Sequence, residues 1–214
     1  MDIRTRAWVP RLLVVTAVAA WMIVSASGCG RSPGDNSAEA GFARDMATHH
    51  AQAVEMGFIV LDATRDETLR ALASDIIVTQ SAQRGMFMAW LQHWGLPQAS
   101  SGPRMAWMAG SETTASSPAH DMGGSHTMPG MPLMAGMASD AELDALRNAI
   151  GRDAEVLFLQ LMIRHHEGGV LMARALLAQS RVENVVTIVR NIESGQAGEI
   201  TTMIAMLHER EAQP

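Results

Sequence analysis

An internal repeat with a constant offset is the feature that most constrains the fold of this 214-residue chain. When the sequence is aligned with itself at a shift of 116 residues, two segments match without a gap. A run of matches this long at one offset indicates duplication of a structural unit. The matched pairs are Glu39 and Glu155, Phe42 and Phe158, Met46 and Met162, His49 and His165, His50 and His166, Val54 and Val170, Met56 and Met172, Leu61 and Leu177, Ile76 and Ile192, Gln80 and Gln196, Ala89 and Ala205, and Leu91 and Leu207.

Each repeat is predicted to form two helices. Residues 38–61 and 153–179 lack proline, are rich in Ala, Leu and Met, and carry apolar residues at helical spacing. Residues 66–94 and 182–210 are the predicted partner helices, and short polar connections suit antiparallel hairpins. Because neither hairpin can bury its apolar stripe alone, we predict an all-α fold, a four-helix bundle built from two duplicated helical hairpins with approximate twofold symmetry.

The segment between the repeats, residues 97–138, is predicted to be a flexible linker. It has no periodicity and is rich in Gly, Pro, Ser and Met. Its methionines and histidines predict a second, looser metal site, with a mere composition bias as the alternative; they are Met105, Met108, Met122, Met128, Met131, Met134, Met137, His120 and His126. Ser139 and Glu142 then form a capping-box pattern, which predicts a short helix through Ile150 that Gly151 interrupts.

The first 28 residues have the three-part layout of a secretory signal. Arg4, Arg6 and Arg11 precede an apolar run over residues 12–24 that is short for a membrane span. The following residues ASGC resemble the lipobox of bacterial lipoproteins, which predicts lipidation of Cys29 after cleavage. The alternative is an uncleaved anchor helix, and both place the rest of the chain outside the cytoplasmic membrane.

These features divide the chain into five segments. They are a lipoprotein signal peptide (1–28), an N-terminal tether (29–37), the first helical-hairpin repeat (38–96), a Met/His/Gly/Pro-rich linker (97–138) and the second helical-hairpin repeat (139–214). The predicted location is the cell surface or the periplasmic face of the bacterial cytoplasmic membrane, with a lipid anchor.

Cysteine count and charge exclude several functions. Cys29 is the only cysteine, so the folded part has no intrachain disulfide, thiol nucleophile or thiolate metal site. Without residues 1–28 the chain carries 13 Arg, no Lys and 21 Asp and Glu, a net charge near −8. We therefore expect no binding to nucleic acid. The 17 methionines leave sulfur chemistry to thioethers.

One stripe of the first helix in each repeat carries a carboxylate, two thioethers and two imidazoles. At 100° per residue these side chains fall within an arc of about 120°. The same stripe carries the apolar residues that must face the partner helices, so the histidines are expected to point inward or to the edge of the bundle. The predicted metal ligands are Met46, His49, His50, Met56 and Glu39, with Met162, His165, His166, Met172 and Glu155 in the second repeat.

Four buried imidazoles cost free energy unless each finds a partner. A cation on their unprotonated nitrogens would remove this cost, as in metal sites between the facing helices of bundles. Imidazole with thioether favours copper, as Cu(I) or Cu(II), and another transition metal is the alternative. Without metal, the methionines would be core fillers and the histidines would be hydrogen-bonded core residues.

Residues outside the stripe receive weaker assignments. Gln80 and Gln196 lie on the partner helices, where each is expected to hydrogen-bond an imidazole or to make an ordinary interhelical bond. Glu167, His93 and His208 have no counterpart in the other repeat and are expected at the surface.

The doubled motif, FARDMATHHAQAVEM at 42–56 and FLQLMIRHHEGGVLM at 158–172, resembles the DUF305 family. The family pattern is an acidic residue, a Phe, M-x-x-H-H, a following Met and a downstream helix containing Gln, and the resemblance covers 38–94 and 139–208. It implies a ferritin-like bundle in an exported, copper-related protein, with the motif Met and His residues as ligands. This chain departs from an even repeat where Gln83 stands at the position of Glu199.

The predicted function is binding of copper by an exported, lipid-anchored protein, for sequestration or relay. The predicted partners are the metal ion, the membrane and an unidentified metal-transfer protein. One alternative is a metal-dependent oxidase, although no Glu has a His three residues later, as carboxylate-bridged di-iron bundles require. Another is a structural or partner-docking module without metal, in which the histidine pairs only hydrogen-bond across the bundle. No serine triad or phosphate loop is evident, so binding is favoured over catalysis.

Overall fold

The structure is a computed structural model that describes residues 32–100, 102–110 and 134–214. The described residues from Pro33 onward belong to one compact unit. Within these ranges no helix combines the length and the apolar content needed to cross a bilayer. The sequence predictions that fall outside the described residues are the signal peptide, Cys29, Met122, Met128, Met131, His120 and His126.

The described residues form helices and no strand, which confirms the predicted all-α class. Four long helices make up two hairpins, and each of their ends lies within two residues of its predicted position. Within the described part of the chain, a 3-10 turn and a short helix precede the second hairpin. The elements are α1 (Ala38–Ala63), α2 (Glu67–His93), a 3-10 turn (Ala106–Gly110), α3 (Asp140–Asn148), α4 (Gly151–Gln179) and α5 (Glu183–Glu209).

The predicted capping signals set several helix boundaries. The Ser37 hydroxyl accepts a hydrogen bond from the backbone N–H of Ala40, at 3.1 Å, and so starts α1. Ser139 and Glu142 form the predicted capping box of α3. The prediction that α3 runs to Ile150 is wrong by two residues, and Gly151, at φ +55°, begins α4 instead of interrupting a helix. Glycine adopts this φ without steric cost, so the chain turns sharply between α3 and α4.

The two hairpins pack through α1 and α4, which run antiparallel. Each of the two stripe glutamates bonds to the connection of the other hairpin. Thr64 Oγ1 donates to Glu155 Oε1 at 2.5 Å, and Ser180 Oγ donates to Glu39 Oε1 at 2.6 Å. Because Thr64 and Ser180 are also separated by 116 residues, the two bonds are related by the twofold symmetry that the repeat predicts.

Two apolar clusters fill the bundle, one towards each end of α1. Met56 and Met162 belong to one cluster, and Met46 and Met172 belong to the other. All four side chains are fully buried. Each such side chain contributes about 1.5–3 kcal/mol to the free energy of unfolding. The histidine pairs lie between the two clusters, in the middle of the bundle.

The end of the linker, residues 134–138, packs against α1 and α4, and we call it the strap. The side-chain amide of Gln52 donates to Ala138 O at 2.8 Å and accepts from Ala138 N at 2.7 Å. Met134 in the strap is only 2% exposed. A Cβ atom on Gly168 would overlap the carbonyl oxygen of Ala135, so α4 accepts the strap only because this position has no side chain.

The beginning of the linker is also fixed, at the other half of α1. Asp45 Oδ2 accepts hydrogen bonds from Met105 N at 2.8 Å and from Trp107 Nε1 at 2.9 Å. The Trp107 ring lies where a side chain on Gly41 would project, and Met108 is buried. The prediction of a flexible linker is therefore wrong for residues 105–110 and for the strap, because side chains of α1 bind backbone and indole groups there.

Replacement of Gly168 by alanine tests the strap contact. The added methyl group would collide with the Ala135 backbone and lower the free energy of unfolding by about 1–3 kcal/mol. Gly198→Ala is the matched control, because nothing lies within 4 Å of its Cβ position in α5. This control should raise the stability by about 0.5–1 kcal/mol, since alanine favours the helix. Urea denaturation of both variants measures the difference, and equal stabilisation by both would contradict the packed strap.

Candidate metal centre

Four imidazole rings form a row across the middle of the bundle. The ring centroids of His49 and His165 are 3.7 Å apart where α1 crosses α4. His50 lies 6.3 Å from His49, and His166 lies 6.3 Å from His165. All four rings are fully buried, which confirms that the histidines point inward. We call His50, His49, His165 and His166 the imidazole row.

The inner two rings bind backbone carbonyls. His165 Nε2 lies 3.1 Å from the carbonyl oxygen of His49, and this bond joins α4 directly to α1. His49 Nε2 lies 3.1 Å from the carbonyl oxygen of Ala135 in the strap. The strap therefore takes the place of the second bond that perfect twofold symmetry would require. The contact between Ala135 and His49 was not predicted from the sequence. The sequence signal for a close backbone contact at this place is the pair Gly168 and Gly169, which follows the second histidine pair.

The outer two rings bind side chains of the partner helices. His50 Nε2 lies 2.7 Å from Gln83 Oε1 in α2, and His166 Nε2 lies 2.6 Å from Glu199 Oε2 in α5. These two contacts occupy equivalent positions in the repeat. Gln83 and Glu199, the position at which the two repeats differ between an amide and a carboxylate, are thus in direct contact with the row.

The partners of Nε2 define the protonation of each ring. A backbone carbonyl and a carboxylate only accept hydrogen bonds, so Nε2 carries the proton in His49, His165 and His166. The amide oxygen of Gln83 assigns the same form to His50. In a neutral ring of this kind Nδ1 has a free lone pair. All four Nδ1 atoms are buried without a hydrogen-bond partner among the described residues.

Gln80 and Gln196 add further unpartnered polar atoms to this part of the core. Both side chains are buried, and neither amide makes a hydrogen bond within the described residues. The prediction that they bond an imidazole or another helix is therefore wrong, because Gln83 and Glu199, three residues further along each helix, reach the rings instead. Gly169 leaves the space that the Gln196 amide fills.

Burial keeps three rings of the row, those of His49, His50 and His165, uncharged. The removal of water lowers the pKa of His49 from 6.5 to about 4. Burial, followed by the charge of neighbouring imidazoles, lowers the pKa of His50 and of His165 well below the ordinary value. Neutral rings are the form that binds metal ions, so these three side chains are ready to act as ligands at neutral pH.

The predicted thioether ligands lie on both sides of the row along α1 and α4. Met46 precedes His49, and Met162 precedes His165, by a rise of about 4.5 Å along each helix. Met56 and Met172 follow the second histidine of each pair at a rise of roughly 9 Å. Soft sulfur atoms therefore flank the imidazoles within the buried core.

Glu39 and Glu155 lie far from the row. At 1.5 Å per residue, Glu39 is about 15 Å along α1 from His49, and Glu155 is the same distance from His165. Their oxygens already bond across the hairpins, and Glu155 also pairs with Arg210 at 2.9 Å. As expected, Glu167, His93 and His208 are exposed.

The described residues contain no group of three or more His, Cys, Asp and Glu side chains arranged to hold a metal ion. An unpartnered Nδ1 lone pair is suited to a bound cation, because a metal ion accepts the electrons of Nδ1 while Nε2–H keeps its hydrogen bond.

Comparison with known proteins identifies the family of the chain. The DUF305 family, described as a domain of unknown function, matches residues 39–207, which confirms the resemblance found in the doubled motif. No curated protein matches the chain.

The solved structures that share the fold include the following three. A secreted DUF305 protein from Streptomyces coelicolor is 44% identical, with 84% of this chain and 98% of that chain covered and a TM-score of 0.71. A DUF305 fragment from Deinococcus radiodurans is 33% identical, with 80% and 96% covered and a TM-score of 0.62. CopM in its Cu(II)-bound form is 25% identical, with 81% and 97% covered and a TM-score of 0.60.

The lowered pKa of His49 predicts loss of stability in acid. Above pH 6.5 the His49 ring is neutral in both the folded and the unfolded state, so its titration does not lower the free energy of unfolding there. As the pH falls from 6.5 towards 4, the unfolded chain binds a proton on this ring that the folded protein excludes, and the free energy of unfolding decreases. At about 1.4 kcal/mol per pKa unit, His49 alone removes roughly 3 kcal/mol. Urea denaturation of the metal-free protein across this range measures the decline. The His49→Gln variant, which has no titrating ring, should decline less steeply, and identical slopes would contradict the assignment.

Proposed function

The chain belongs to the DUF305 family, and we propose that it is an exported, lipid-anchored protein that binds copper at the imidazole row for sequestration or relay. The observation that carries this proposal is the set of four buried Nδ1 atoms without a partner. The proposed ligands come from the row together with Met46, Met56, Met162 and Met172. Glu39 and Glu155 are left out, because they bond at the ends of the bundle.

A bound metal ion would offset the loss of stability that the buried, unpartnered Nδ1 atoms cause. Each buried polar atom without a hydrogen bond lowers stability by about 1–3 kcal/mol. Four ring nitrogens of the same kind meet this condition, because none of the four Nδ1 atoms has a hydrogen-bond partner among the described residues. In metal sites the second nitrogen of a histidine ligand usually donates to a carboxylate or a carbonyl, as Nε2 does in all four rings here.

The chemistry of the donors favours copper. Imidazole nitrogen suits Cu(II), thioether sulfur suits Cu(I), and the core holds both kinds of donor. Thioethers need no deprotonation to bind, so the site keeps its sulfur donors in an acidic exterior. CopM, which shares the fold, is known in a Cu(II)-bound form. That likeness supports copper as the cargo of this chain.

Two observations support an exported protein. The first 28 residues have the layout of a signal followed by a lipobox-like cysteine. The similar protein from Streptomyces coelicolor is described as secreted. A lipid on Cys29 would hold the bundle at the outer side of the cytoplasmic membrane, where it would meet copper before the cytoplasm does.

Glutamine substitutions test the imidazole row. Glutamine keeps a nitrogen donor near the position of Nε2 but has no counterpart of the Nδ1 lone pair. The soluble chain from residue 30 should bind Cu(I) and Cu(II) in defined stoichiometry and unfold at a higher temperature with copper, as binding to the native state requires. The variant His49→Gln, His50→Gln, His165→Gln and His166→Gln should lose both effects in copper titrations and thermal scans.

The matched control changes exposed histidines. The double variant His93→Gln and His208→Gln removes two imidazoles at the surface and should bind copper as the parent does. Retention of full stoichiometry by the fourfold variant would move the site to the linker. A parent chain without any copper-dependent rise in unfolding temperature would favour a bundle that only docks partners.

Replacement of Cys29 tests the anchor. In cells that process lipoproteins, the parent should incorporate labelled fatty acid and sediment with membranes. Cys29→Ala removes the only thiol and should abolish the label, because no other cysteine is available to accept a lipid. Labelling of the alanine variant, or an unlabelled parent, would contradict lipidation at this residue.

A further inference from the structure

The two ends of the imidazole row differ in charge although the repeat makes them equivalent in position. At one end His166 Nε2 contacts a carboxylate oxygen of Glu199 at 2.6 Å. At the other end His50 Nε2 contacts the neutral amide of Gln83 at 2.7 Å. The backbone, the ring orientation and the hydrogen bond are otherwise matched at the two ends. The two outer rings therefore differ mainly in whether their hydrogen-bond partner is charged or neutral.

The next position along each partner helix increases this difference. Arg84 follows Gln83 in α2, whereas the equivalent residue in α5 is Ile200. The Arg84 Nε atom is buried without a hydrogen-bond partner among the described residues. One end of the row therefore has a negative group in contact, and the other end has a positive group nearby.

A third difference concerns the donors themselves. The Phe87 ring packs against His50, with ring centroids 5.6 Å apart. The equivalent position in α5 is Met203, which is fully buried. An aromatic side chain in α2 thus corresponds to a thioether side chain at the equivalent position of α5.

We propose that Glu199 gives the centre its capacity for a divalent cation at the α4–α5 end, and that Gln83 and Arg84 restrict the α1–α2 end to a monovalent cation. This inference rests on the proposed copper-binding function.

The reason is the cost of charge in a buried site. Imidazole and thioether ligands are neutral, so a bound ion keeps its full charge within a core that solvates it poorly. A divalent ion pays a much larger desolvation cost than a monovalent ion, and a carboxylate one hydrogen bond away offsets part of it. The carboxylate also raises the basicity of the ring that it contacts. A nearby guanidinium has the opposite effect on the cation.

Two carboxylates on α5 supply a matched pair of variants. Glu199 contacts the row and its side chain is 28% exposed, whereas Glu193 pairs with Arg174 at 2.7 Å and is 27% exposed. Glu199→Gln should weaken Cu(II) binding by about 10–100-fold, while Ag(I) binding changes by less than about threefold. Glu193→Gln should leave both affinities unchanged. Titrations of the soluble chain from residue 30 give the affinities, and thermal unfolding shows that each variant is folded.

A transplant tests the other end of the row. The double variant Gln83→Glu and Arg84→Ile gives α2 the two residues that α5 has at these positions. It should bind additional Cu(II), and the electron paramagnetic resonance spectrum should show a second Cu(II) environment with nitrogen couplings. Gln92→Glu adds a carboxylate at an exposed position of α2 and should bind no additional Cu(II).

The outcomes separate this inference from the function on which it rests. Equal losses of Cu(II) and Ag(I) in Glu199→Gln would show that Glu199 only orients the ring, and would overturn the inference while copper binding by the parent stands. A transplant without additional Cu(II) would overturn it as well. A parent that binds neither ion would overturn both the function and the inference.

Discussion

The contact between His49 and His165 is the interaction on which the rest of the structure depends. The bond from His165 Nε2 to the His49 carbonyl joins the two hairpins at their crossing point. It also holds the two inner rings 3.7 Å apart between the apolar clusters. With both Nε2 atoms committed to backbone oxygens, the free lone pairs stay inside the core. The same contact therefore fixes the pairing of the hairpins and leaves the Nδ1 atoms of His49 and His165 buried without a hydrogen-bond partner among the described residues, in a position to bind a cation.

The fold was predictable from the sequence to the extent that its determinants are local. Helical periodicity, absence of proline and polar connections depend on neighbouring residues, and they placed each end of the four long helices within two residues. The strap and residues 105–110 depend on contacts with α1 and α4 that are distant in sequence. A segment rich in Gly and Pro gives no periodic signal of such contacts. The sequence signal for the strap contact is Gly168, because its lack of a side chain leaves room for the backbone of Ala135.

The site was predictable in angle around the helix but not in position along it. A helical projection correctly placed His49 and His165 inward, yet it also placed Glu39 on the same stripe, about 15 Å away along the axis. The same limit explains Gln80, which projects close to Gln83 although only Gln83 reaches a ring. Axial position depends on how far each partner helix is shifted along its hairpin, and that shift is a property of the whole connection and interface.

The division of acceptors between backbone and side chains has a consequence for selectivity. The inner rings bond to carbonyls of His49 and Ala135, which no side-chain substitution at those positions removes. The outer rings bond to side chains, so one codon alters the charge in contact with His50 or His166. Duplication supplied equivalent scaffolds, while the outer partners were free to differ. Under the proposed function, a row with a constant inner pair and variable outer partners would change the ion that it accepts without any change to the hairpin interface.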